Sequence, residues 1–238
     1  MTQAANRRFQ LELDALGHFP GPADGLLGAK TYQALVEYVS ADKAPEGVGK
    51  AMARWLPLAG IDSRNEIIQF VANCAHESNF QPKSENLSYS AKRMAEVWPS
   101  RYALDPHAKL KLPNQLAVSL ANRPEALGNN VYANRNGNIY PGDGYKFRGR
   151  GAPQLTGREA YNQVGRIVGL DFINNPDLVN TVDGGVAAAV GFWLWKKIGP
   201  AATEGNTTAV RKLWNGGAIG LEEVKALVAK QASIWPAD

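Results

Sequence analysis

The sequence predicts a mainly α fold, and three observations carry that prediction. Between residues 65 and 77, Ile67, Phe70, Val71 and Cys74 recur at three- and four-residue steps, the spacing of one helical face. The run GGVAAAVGFWLWKK, residues 184–197, is apolar almost all round, as a central buried helix is. Only the glycine-rich stretch 134–156 breaks the helical texture, and it reads as an irregular loop or one small hairpin.

Taken in order, residues 5–17 form a short amphipathic helix on Phe9, Leu11, Leu13 and Leu16, ended by Gly17. Gly21-Pro22 and Asp24-Gly25 are turn signals, and Gly28 precedes a helix carrying Leu35, Val36 and Val39, with Thr31 placed to cap it. Residues 43–50, small, charged and broken by Pro45, Gly47 and Gly49, read as a linker between a unit at 1–42 and a larger domain at 51–238. In the larger domain, helices are expected over 52–58, 65–77 and 90–98, the last capped by Ser88 or Ser90. The stretch 104–120 is helical in part, interrupted by Pro106 and Pro113, and another helix covers 122–130. Further helices follow at 158–168, within 177–199, at 207–214 and at 221–234, with a tight turn at 215–217.

Composition narrows the functions. At 238 residues, 45% hydrophobic and 20% charged, the chain is an ordinary globular protein. Its lone Cys74 lies on an apolar helix face and reads as a small buried hydrophobe. Residues 1–50 carry five Lys/Arg against six Asp/Glu, whereas 51–238 carry 21 against 16. A modestly basic larger domain suits an anionic polymer, yet the basic residues are scattered and form no nucleic-acid-binding motif. The N-terminus lacks the apolar core of a secretory signal, and the longest apolar stretch, 186–195, is too short to span a bilayer. No metal is implied: His76-Glu77 lacks the second histidine of a zinc helix. Ser78 and Ser88 have no His/Asp relay for serine hydrolysis.

Two carboxylates carry the chemistry. Glu77 continues the inward face of the 65–77 helix in its last turn, where partial burial and the helix dipole both favour the protonated form. Glu85 follows on a polar segment, where water and Lys83 favour the charged form. A general acid paired with an ionised base is what glycosidic bond cleavage requires.

Three segments then coincide with one pattern: Ala75-His76-Glu77-Ser78 with Glu85-Asn86-Leu87-Ser88-Tyr89-Ser90; Tyr145 to Thr156 (YKFRGRGAPQLT) with Tyr161-Asn162; and Trp214-Asn215-Gly216-Gly217. Over residues 51–235 the chain resembles glycoside hydrolase family 19, in its phage-endolysin branch, with a helical lysozyme-like catalytic domain. The resemblance implies Glu77 as general acid, Glu85 as general base and Thr156 as the hydroxyl holding the attacking water. Inversion needs the two carboxyl groups about 6.5–9.5 Å apart. Gln154, Tyr161, Asn162 and Asn215 match positions that hydrogen-bond the sugar, with Tyr89 grouped beside them. His76 is either a cleft neighbour or a group orienting Glu77. Arg148 and Arg150 either meet substrate carboxylates or brace their loop.

The segment Gly21-Pro22-x-Asp24-Gly25-x-x-Gly28-x-x-Thr31 resembles a small three-helix peptidoglycan-binding module. Together the resemblances imply a monomeric endolysin. It would cut the β-1,4 bond between N-acetylmuramic acid and N-acetylglucosamine in bacterial peptidoglycan, with no cofactor, metal, nucleic acid or membrane insertion. It would be made in the host cytoplasm and released to the wall through a holin-type pore. The rival readings are a chitinase on the same scaffold, a lytic transglycosylase and a non-catalytic wall-binding protein.

Overall fold

The spacing of Ile67, Phe70, Val71 and Cys74 forms a helix, Arg64–Ser78, whose start is fixed by a reciprocal cap between Ser63 and Glu66. The structure is a computed structural model and describes residues 2–41 and 43–236; Asp42, where the expected N-terminal unit ends, lies outside them. In chain order the helices are α1 (Gln3–Ala15), α2 (Ala29–Val39), α3 (Val48–Leu58), α4 (Arg64–Ser78), α5 (Ala91–Val97), α6 (Pro99–Tyr102) and α7 (Gln115–Leu120). They continue with α8 (Pro124–Val131), α9 (Asp143–Lys146), α10 (Arg158–Val168), α11 (Val182–Trp195), α12 (Gly199–Thr203), α13 (Thr207–Asn215) and α14 (Leu221–Ile234). Among the described residues, β pairing is confined to isolated bridges, Ala103 with Pro113 and Arg150 with Leu155, so the fold is mainly α. No helix among them is long and apolar enough to cross a membrane.

The residues divide into two units. The first comprises 1–83, 150–155 and 161–238; the second comprises 84–149 and 156–160.

In the first unit α11 is the central helix that its composition predicts, with residues 184–191 and Trp193 buried. One core joins Phe9, Leu13 and Leu35 to Met52, Phe70, Val190, Trp193 and Trp214. Phe9 of α1 stacks flat on Trp235, ring centroids 4.0 Å apart, so the first helix is tied to the end of α14. Residues of the expected N-terminal unit therefore share their core with α3, α4 and α11. Helix α3 begins at Val48, inside the stretch 43–50 read as a linker. Gly49 acts there as a point of close approach: a Cβ on it would lie 2.0 Å from the Ala29 carbonyl oxygen of α2. Gly49→Ala should therefore push α3 off α2 and cost about 1–3 kcal/mol, read as a lower denaturant midpoint.

Thr31 does not cap α2. Gly28 is the N-cap, and Thr31 is buried within the helix, where it accepts from Gln10 Nε2 at 3.1 Å and donates to the Pro20 carbonyl at 3.3 Å. The expected turns at Gly21 and Gly25 are present, both with left-handed φ.

In the second unit, Met94, Tyr102, Ala117, Leu127 and Val131 form a small core. Ser90, not Ser88, caps α5. The glycine-rich stretch is irregular apart from the short α9 and the antiparallel bridge of Arg150 with Leu155. Side chains accept several backbone amides in and beside it: Asp143 from Ile139 and Tyr140, Asn129 from Tyr145, and Asn138 from Arg158. Asp143, 2% exposed, also takes two 2.7 Å bonds from the Arg158 guanidinium, and so closes the loop onto the first turn of α10.

Candidate active site

Helix α4 delivers Glu77 in its last turn, just before Asn79 turns the chain left-handed. The Glu77 side chain is 20% exposed, and its Oε1 accepts from Arg211 Nη1 at 2.7 Å. Arg211, 2% exposed, projects from α13, and the same nitrogen donates to Asn73 Oδ1 at 3.2 Å. Its Nε donates to the Ile219 carbonyl at 2.8 Å, an oxygen that also accepts from Asn215 Nδ2 at 3.4 Å. The structure thus brings Glu77 and Asn215 into one network through a buried guanidinium that no sequence motif marks. Its signal is faint: Arg211 lies one turn before Asn215 on a helix whose Val210 and Trp214 are buried.

Arg211 is also a neighbour of Glu77 that burial and helix dipole alone do not bring in. His76, half-buried, packs against Gly220, where a Cβ would lie 2.2 Å from its Nε2. Its observed packing is against the turn that follows α13. Burial, and then the Glu77 charge, push the Cys74 thiol well up, which suits the inert core role read for it.

Glu85 has different neighbours. Its backbone N–H donates to the Gly149 carbonyl at 2.8 Å, and the Gly149 N–H faces its Oε2 at 3.4 Å. The Tyr132 hydroxyl lies 2.8 Å from Oε1 and 2.9 Å from Oε2. A tyrosine 47 positions along the chain, rather than the expected Lys83, is its partner, and no local pattern announces that pairing. Tyr89 is half-buried with its ring tilted on Trp98 at 5.2 Å.

The stretch 148–162 separates into supports and exposed groups. Arg150, 2% exposed, donates to Asp177 at 2.9 Å and to the Tyr161 hydroxyl at 3.1 Å. Arg148 stacks over Tyr145 at 4.1 Å and donates to the Tyr145 carbonyl at 3.0 Å. Both arginines brace the loop. Tyr161, read as a sugar contact, is buried with Ala160 and Val164 on one face of α10, its hydroxyl accepting from Arg150. Gln154 has a left-handed φ of 50° and turns its Nε2 to the Gly151 and Lys83 carbonyls. Thr156 is half-buried just before α10. Asn162 is exposed and lines a surface cavity of about 300 Å³ with Gly165, Arg166 and Asp171.

The chain is similar in sequence to known proteins. A family model described as chitinase class I matches residues 121–212. A Haemophilus influenzae protein described as "Glycosyl hydrolase family 19 domain-containing protein" is 33% identical over 183 residues, spanning 76% of this chain and 85% of that one. The acidic 27 kDa endochitinase of Solanum lycopersicum is 46% identical over 52 residues, 22% of this chain and 21% of that one. A solved structure of chitinase C covers 85% of this chain and 91% of its own at 16% identity, with a TM-score of 0.49. By the extent of its identity to the Haemophilus influenzae protein, the chain belongs to glycoside hydrolase family 19.

Proposed function

We propose that the chain is an endolysin that hydrolyses the β-1,4 bond between N-acetylmuramic acid and N-acetylglucosamine in bacterial peptidoglycan, with inversion. Glu77 passes its proton to the leaving glycosidic oxygen as the bond to the anomeric carbon breaks. Glu85 takes a proton from the water that attacks that carbon, and the Thr156 hydroxyl helps hold the water. The observation that carries the acid role is the fixed placement of Glu77 by buried Arg211, in a chain of this family. Arg211 contacts Oε1, which leaves Oε2 as the oxygen that delivers the proton.

Peptidoglycan is favoured by the N-terminal segment that resembles a wall-binding module, and by the basic balance of residues 51–238. Residues 1–42 would hold the wall and raise the local concentration of substrate at the catalytic residues. Release through a holin-type pore and action as a monomer complete the reading.

A second reading, chitinase, is favoured by the local identity to named endochitinases. Purified peptidoglycan and chitin oligomers should be digested in parallel and the products weighed by mass spectrometry. The endolysin reading expects muropeptides with reducing N-acetylmuramic acid ends. Cleavage of chitin oligomers alone would replace it with the chitinase reading, and 1,6-anhydro ends would indicate a lytic transglycosylase.

A further inference from the structure

Glu85 is held more closely than a surface carboxylate needs to be. Its backbone is pinned to Gly149 by the 2.8 Å bond, and the Gly149 N–H approaches Oε2. A single phenolic hydroxyl then sits almost equidistant from both carboxylate oxygens, at 2.8 and 2.9 Å. A donor shared by the two oxygens fixes where the carboxylate sits, and the Gly149 N–H toward Oε2 distinguishes one oxygen from the other about a terminal torsion that is otherwise broad and roughly two-fold. The tyrosine is itself held. Tyr132 directly follows buried Val131, its N–H donates to the Gly128 carbonyl at 3.0 Å, and its own carbonyl accepts from Asn138 Nδ2 at 3.0 Å.

We propose that Tyr132 is a positioning residue for the proposed general base, its hydroxyl fixing the place at which the Glu85 carboxylate meets the attacking water. The proposal rests on Glu85 being the base. The hydroxyl suits this task because it stays a donor: burial first, and the Glu85 charge second, push the phenol well above its ordinary range. Tyr132 makes no bond to substrate in this role. It acts through Glu85, on the step in which a proton leaves water.

Tyr132→Phe removes the hydroxyl and keeps the ring. On chitin oligomers or purified peptidoglycan, whichever the wild type cleaves, kcat should fall about 10- to 100-fold, the worth of one hydrogen bond to a charged group. KM should stay within about 2-fold, because Tyr132 makes no bond to substrate. The melting temperature should fall by a few degrees at most, the cost of one lost hydrogen bond. An unchanged kcat would overturn the proposal, as would a rise in KM with a matching loss of melting temperature, the mark of a purely structural tyrosine. Glu85→Gln, measured beside it, separates the two levels. If that variant is inactive and Tyr132→Phe turns over normally, the positioning role alone fails. If Glu85→Gln keeps full activity, the base assignment fails and Tyr132 loses its role with it.

Discussion

Glu77→Gln should lower turnover about 10²- to 10⁴-fold, the range lost with a positioned general acid. Glutamine retains a carbonyl oxygen that can accept from Arg211 Nη1, now 2.7 Å from Oε1, so the network linking α4 and α13 should survive. It has no carboxyl proton to give the leaving oxygen. The melting temperature should therefore stay close to wild type while reducing-end release collapses. Glu77→Ala makes the contrast. It leaves a guanidinium that is 2% exposed without the acceptor that Oε1 supplies, at a cost of about 1–3 kcal/mol. Comparing the two variants separates chemistry from support: alanine should lose activity and stability together, glutamine activity alone. Full lysis by Glu77→Gln would remove the acid assignment.

The largest effect on stability is expected at Asp143, which has no part in the proposed chemistry. Its carboxylate accepts from two guanidinium nitrogens of Arg158 and from the N–H groups of Ile139 and Tyr140. Asp143→Ala strands those donors and should cost about 3–5 kcal/mol in the second unit. The pair also has a pH signature. Burial pushes the Asp143 carboxyl up, but the Arg158 bond and the Tyr140 and Ile139 N–H groups outweigh it and hold the carboxyl below the ordinary value of 3.8. A carboxyl lowered by folding contributes stability that is fully present above its unfolded pKa and is lost as pH falls through its folded one. The denaturant midpoints of wild type and Asp143→Asn should thus differ by a constant amount above about pH 5 and converge below about pH 4. A gap that persists at low pH would show that the pair's charge is not what stabilises the loop.

Much of the helical scaffold is legible because its signals are local. The three- and four-residue spacing and the Ser63/Glu66 cap sit within one segment, and α4 follows from them. The apolar run of α11 is equally self-contained. Gly49 shows where local reading stops. A glycine among other breakers suggests a linker, yet its missing side chain serves to let the Ala29 carbonyl of α2 come close. The stretch 134–156 is irregular for a related reason. Asp143 and Asn129 accept some of its backbone N–H groups, so it needs no ladder longer than the Arg150–Leu155 bridge.

The site residues divide along the same line. Glu77, Glu85 and Asn215 stand out through motifs, which name a residue but not its partner. Arg211 lies 134 positions from Glu77, and Tyr132 47 from Glu85; pairings of that separation leave no periodic trace. Tyr161 carries two signals at once. Its motif suggests a sugar contact, while its position with Ala160 and Val164 on α10 places it on the helix's buried face.

The proposed mechanism requires Glu77 and Glu85 to divide acid and base work in a single displacement. Proton NMR of the first product released from a β-linked oligomer, recorded before mutarotation, tests this most directly. Inversion predicts that the new reducing end appears as the α anomer and only later equilibrates. A β anomer at the first time point would mean a double displacement, and would contradict the single-step inversion and the base role of Glu85.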